Sequence, residues 1–198
     1  MFHLWLPNAV GLTGHYDWFY EGFALYQSLK TGIELNRLRF DDFLDTLGRA
    51  YTFDSAFSTQ PSLIDASANR SAGGDADLYA RGMLIAFLTD LELMQSSGGK
   101  TDVGDLLGRL YAKYHDTEPA VDGNKAVLGL IDSPLITRYV QGTEQIDLSN
   151  ALKRAGIELI KNGPSFSFSV TSKPSRRQRE LLDKLGYNNW RRSNVSPK

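Results

Sequence analysis

Cysteine is absent from this 198-residue chain and histidine nearly so, with only His3, His15 and His115. The first absence excludes disulfides and thiolate metal sites. The second leaves any metal to those three imidazoles and to Asp or Glu. No run of about 18 apolar residues occurs, so no membrane span is expected. Nor does a basic stretch lead into an apolar one, so no signal peptide is visible. The compartment therefore stays open between cytoplasm and periplasm, for a chain expected to be soluble. Internal repeats and heptads are missing as well. What is present is ordinary for a globular protein, 41% hydrophobic and 23% charged residues, in a length that suits one good-sized domain or two small ones. The net charge of −1 hides an asymmetry. From Lys173 onward there are 8 basic and 2 acidic residues, against 14 and 21 before it. Few stacking aromatics accompany that tail, so it reads as a solvated helix and frayed end, and no nucleic-acid partner is expected.

Apolar periodicity predicts a largely helical chain. In residues 17 to 30, Trp18, Gly22, Leu25 and Leu29 share a stripe, with Asp17 as N-cap and Thr31-Gly32 as the stop. A second helix is expected over about 35 to 53. The Ser-, Gly- and Asn-rich stretch 58 to 75 reads as a long loop. Residues 78 to 94 are apolar nearly all round and predict a buried central helix ending at Gly98-Gly99. An amphipathic helix follows from Val103 to Tyr114, then short helices near 123 to 132, 133 to 141 and 147 to 155. The alternation in "SFSFSVTS" at 165 to 172 predicts a strand, pairing with Glu158-Leu159-Ile160. Pro174-Ser175 opens a last helix through about Leu185. The expected fold is mainly α, with a small β element near the C-terminal end. Residues 1–160 are expected to form the helical lobe, and 161–198 a strand, helix and basic tail packed on it or disordered.

One carboxylate stands out. Glu21 sits in "DWFYEGFALYQ" at the shoulder of the apolar stripe, with no cation at helical spacing. A partly buried carboxylate needs a cation, donors or a proton, because leaving it unpaired costs several kcal/mol. His15 reads as a substrate-side residue or a capping contact, and His115 as a dipole partner at a helix C-terminus.

The stretch "WFYEGFALY" resembles the W-x-x-E-G-x-x-x-Y signature of gluzincin metallopeptidases. "SLIDAS" at 62 to 67, "LYARGMLIAFLTDLEL" at 78 to 93 and "ALKRAGIELI" further on resemble blocks of the glycyl-aminopeptidase family among them. The likeness runs in scattered blocks over about residues 1 to 160. It implies the helical lobe of a thermolysin-like catalytic domain that hydrolyses N-terminal peptide bonds with zinc-activated water. It further implies Glu21 as the third zinc ligand and Tyr79, in "YARG" with Arg81 where the family has Lys, as donor to the tetrahedral oxyanion. His3, with 17 residues between it and Glu21, matches the second histidine of H-E-x-x-H, a second zinc ligand. In such a site the first histidine completes the ligand set and the motif glutamate moves the proton.

On that alignment the first histidine and the general base are expected upstream of Met1. Three expectations follow. Zinc and a peptide substrate belong to the intact parent, whereas this chain alone binds no metal tightly and is inactive. Apolar surface around Phe2, Leu4, Trp5 and Trp18 is uncovered, so a homodimer through that face is expected. Glu21 is protonated, hydrated or paired with a stand-in cation such as Arg81. The alternative is a non-catalytic helical interaction module that kept the scaffold.

Overall fold

A computed structural model describes Leu6, residues 8–70, 75–118 and 120–188, with the backbone alone at 75–77. His3, Phe2, Leu4 and Trp5 thus lie outside the described residues, as does the end of the basic tail. The helices are α1 (Asp17–Glu34), α2 (Phe40–Ser55), α3 (Leu63–Ala68), α4 (Asp75–Ser97), α5 (Val103–Tyr114), α6 (Gly123–Leu128), α7 (Ser149–Ala155) and α8 (Arg176–Lys184). A short π-helical stretch covers Ile136–Gln141. Two small sheets complete the described fold. β1 (Leu12–Thr13) pairs in parallel with β2 (Val121–Asp122), and β3 (Ile157–Asn162) pairs antiparallel with β4 (Ser165–Val170).

The buried central helix is α4. Leu78 and every side chain from Arg81 to Leu91 are buried on it, and α1, α2 and α5 pack around it. Its partner α1 is also apolar on a broad face, burying Trp18, Phe19, Phe23 and Tyr26. Where the two helices cross, side chains are absent. A Cβ on Gly22 would lie 2.3 Å from the carbonyl carbon of Gly82, and one on Gly82 would lie 2.4 Å from the Trp18 carbonyl oxygen. Only glycine at both positions lets the backbones meet at this distance.

Polar groups hold the same helices together lower down. Tyr26 Oη donates to Asp90 (2.6 Å), whose other oxygen accepts the Val103 amide (2.8 Å). Lys30 Nζ lies 3.0 Å from Asp90 and 2.9 Å from Asp102, the N-cap of α5. Lys30 and Asp90 are buried, and each has its charge met. Burial alone would lower the Lys30 pKa, but the Asp90 charge and the Asp102 hydrogen bond outweigh it and raise the value. Burial, then Asp90, push the Tyr26 hydroxyl well up. Both effects act in one direction at high pH. Above about pH 10 the unfolded chain ionises its tyrosine and loses its lysine proton, while the folded one does neither. Stability is therefore expected to hold between about pH 7 and 9 and to fall as pH rises past about 10. Melting curves across that range check this, with Tyr26→Phe removing part of the fall. A melting temperature unchanged to about pH 11 would contradict it.

The hairpin follows the alternation in the sequence. Ile157 lies opposite Val170 and Asn162 opposite Ser165, closed by Gly163 at φ 61° and Pro164. Phe168 points into the core, and Thr52 of α2 exchanges hydrogen bonds with the Phe166 backbone. The Ser175 cap forms a capping box with Gln178 at the start of α8.

Four local readings need correction. Helix α1 does not stop at Thr31-Gly32 but runs to Glu34. The chain reverses at Asn36, which takes φ 53°, and Arg37 and Leu38 bond back to the Gly32 carbonyl. The second helix accordingly begins at Phe40, not at 35. Asp17 is the first residue of α1 and not its cap, which is Tyr16. The stretch read as a long loop contains α3, capped by Ser62 on the Asp65 amide.

Candidate functional site

Three elements bring the site together. The Gly22–Gly82 crossing sets the first half of α1 against the first half of α4, so that Glu21 and Tyr79 face each other. The third element is α3. Ser67, at its end, accepts the Trp18 amide (3.1 Å), one of the N–H groups that open α1 without an intrahelical partner. That bond docks α3 on the start of α1 and leaves Arg70, three residues further on, over the same surface.

Arg70 is the centre of the arrangement. Its Nη2 lies 2.8 Å from Glu21 Oε1 and donates to Tyr79 Oη at 3.2 Å. Its Nη1 donates to Asp17 Oδ1 at 2.6 Å and to Tyr20 Oη at 3.0 Å. Tyr20 in turn donates to Asp17 Oδ1 at 2.5 Å. The guanidinium also sits 5.9 Å above the centre of the Tyr79 ring. One forked cation thereby serves two carboxylates and two phenols, the geometry for which arginine is suited and lysine is not. Glu21 is 1% exposed and Arg70 31%, so the cluster opens to solvent on the Arg70 side. The Tyr79 pKa is raised, first by burial and then by its hydrogen bond to Glu21. Tyr20 shifts the same way, through burial and then Asp17. Both phenols are neutral O–H donors at physiological pH.

Glu21 and Tyr79, singled out in the sequence, are thus brought together. Arg81 is not the stand-in cation. Its side chain points away into the core, 3.0 Å from Asp54 and 3.0 Å from Gln60 Oε1, with Nη2 on the Tyr139 and Glu144 carbonyls. It ties α4 to α2, to the π-helical stretch and to the chain just after it. Trp18 belongs to no uncovered surface. It is fully buried, and its indole N–H donates to Asn124 (2.8 Å). Asn124 donates in turn to the His15 carbonyl (2.8 Å), while the His15 side chain is exposed. His115 closes α5, its Nδ1 2.9 Å from the Tyr111 carbonyl, as its position at a helix end implies. Arg70, Asp17 and Tyr20 escaped sequence reasoning. The available signal was that Arg70 is the one basic residue between Arg49 and Arg81.

The described residues do not fit a zinc ion at Glu21. Glu21 Oε1 lies 2.8 Å from the Arg70 guanidinium, so a cation of this chain already sits on the carboxylate, and a second cation beside it would be repelled. Nor does any group of three or more His, Asp or Glu among the described residues converge on a common point.

No family model matches the chain, and no curated protein does. The chain is similar in structure to an aminopeptidase N family protein from Idiomarina loihiensis, known from its crystal structure, with a TM-score of 0.64 and 20% sequence identity. The alignment covers 82% of this chain and 31% of that one. The chain thus spans about a third of the protein it matches, and the likeness is one of fold. The mainly helical architecture with a small β element near the C-terminal end, expected from the sequence, matches part of that aminopeptidase N family structure, and the β1–β2 pair is an addition that the sequence reading did not include.

Proposed function

We propose that this chain is the helical part of a zinc aminopeptidase catalytic domain, of the glycyl-aminopeptidase kind, and that alone it neither binds zinc tightly nor hydrolyses peptides. The observation that carries the reading is the convergence of Glu21 and Tyr79 across the Gly22–Gly82 crossing. These are the residues that the family resemblance assigns to the third metal ligand and the oxyanion donor. The fold likeness supports it independently. His3, the second ligand by resemblance, lies outside the described residues. Inactivity rests on the Arg70 ion pair, which neutralises Glu21 with a side chain of the same molecule. Calorimetry with zinc and a peptidase assay on glycyl p-nitroanilide test this directly. The expected result is no stoichiometric binding below about 1 μM, an affinity of roughly 8 kcal/mol, and no metal-dependent release. Tight binding with turnover would overturn it.

The Arg70 pairing also favours the second reading, an interaction module that kept the scaffold and lost the chemistry. The coding DNA on the 5′ side of Met1 separates the two. In-frame His-Glu codons there support the peptidase reading, and a stop codon beside a ribosome site supports the module.

A further inference from the structure

We propose that Arg70 is a built-in competitor for metal: its guanidinium and a divalent cation hold the Glu21 carboxylate in turn and never together. This rests on the reading of Glu21 as a metal ligand, and names what controls that ligand. The two cations would be too close to share it. Arg70 Nη2 lies 2.8 Å from Glu21 Oε1, so a metal ion on the same carboxylate would sit within a few ångströms of a positive charge, where repulsion is steep. Nη1 meanwhile takes Asp17 at 2.6 Å. Asp17 and Glu21 stand one turn apart on α1, at i and i+4, so both carboxylates face the one guanidinium.

The guanidinium is also the member able to leave. Glu21 is 1% exposed and the Asp17 side chain 9%, against 31% for Arg70. Both carboxylates belong to α1, which the glycine crossing fixes against α4. Arg70 lies two residues beyond the end of α3, so a change of its side-chain rotamers toward solvent releases Glu21 without moving a helix. What it leaves behind attracts a cation. Two carboxylates and the Tyr20 and Tyr79 hydroxyls present oxygen to the space that the guanidinium fills. These four are no complete metal site, since no three acidic or histidine side chains converge among the described residues. The affinity uncovered is therefore modest, and its change, not its size, reports the competition.

Zinc alone is the probe, titrated into the full chain by calorimetry and followed by melting temperature. Arg70→Gln, which removes the charge and keeps a polar side chain, is expected to bind zinc at least about tenfold more tightly than the parent. Zinc is expected to raise the melting temperature of that variant and not of the parent. Arg70→Lys, which keeps the charge, is expected to stay within about twofold of the parent. Adding Glu21→Gln to Arg70→Gln is expected to abolish the gain. Guanidinium chloride at about 20 mM, against sodium chloride at the same strength, is expected to weaken zinc binding by Arg70→Gln about threefold, because the free ion refills the vacated place. Equal zinc affinity in the parent and Arg70→Gln would overturn the proposal. So would a gain that survives Glu21→Gln or that Arg70→Lys shares, or guanidinium acting no better than sodium. If Arg70→Gln does not fold, adding Asp17→Asn removes one bare carboxylate and carries the same expectations. A stop codon on the 5′ side of Met1, with the tenfold gain intact, would sink the peptidase reading and leave the competition standing.

Discussion

Gly82→Ala is expected to cost about 3 kcal/mol of folding free energy or more, at the upper end of what overpacking does. A methyl group there would sit 2.4 Å from the Trp18 carbonyl oxygen, and nothing flexible stands in its way to yield. The obstruction is the backbone of another helix, so the α1–α4 crossing must open along its whole length. Gly22→Ala meets the Gly82 backbone at 2.3 Å and carries the same expectation. Gly108 provides the contrast, exposed in α5 with nothing within 4 Å of its added Cβ. There the same substitution removes only glycine's entropic penalty and is expected to stabilise by about 0.5–1 kcal/mol. Urea unfolding of the three variants decides the matter. A loss under about 1 kcal/mol at Gly82 would mean that the helices are not in backbone contact.

Arg70→Ala is expected to destabilise by about 2 kcal/mol. Breaking a buried ion pair by removing one partner costs about 3–5 kcal/mol, and the 31% exposure of Arg70 lets water return part of it. Two carboxylates, Asp17 and Glu21, then face each other's surroundings without a cation. Adding Glu21→Gln should recover stability at pH 7, which a purely steric role for Arg70 would not allow. Arg70→Lys is expected to fall between, keeping the charge but losing the fork that reaches four acceptors. If Arg70→Ala melts like the parent at pH 7, the guanidinium does not hold Glu21.

Much of this architecture was legible because its signals are local. The apolar run from Leu78 to Met94 could only be a helix inside the core, and the alternation of Phe166 and Phe168 with serines could only be a strand lying on a core. The errors came where distant contacts override a local cue. Thr31-Gly32 has the composition of a helix end, yet the turn is made at Asn36, because Leu38 folds back on Gly32. Helix α3 hid in a Ser-rich stretch, although Ser62 with Asp65 three residues on is a capping pattern. At the site, the burial of Glu21 followed from its place on the stripe, but its cation did not. Arg81 was the nearer candidate in the motif, and its direction depends on Asp54, 27 residues away. Arg70 reaches Glu21 only because Ser67 docks on α1, a bond that no periodicity encodes.

The glycine crossing and the Tyr26–Asp90 bond have a joint consequence for sliding. One fixes Gly22 against Gly82, the other fixes Tyr26 to Asp90, a turn further along α1. A shift of α1 along α4 by one turn, about 5.4 Å, would drive a side chain into the backbone gap and strand a buried carboxylate in the same motion. Intermediate positions meet neither condition. The two helices therefore have a single seating, like a key with two cuts, and every folded molecule presents Glu21 to Tyr79 at the same height.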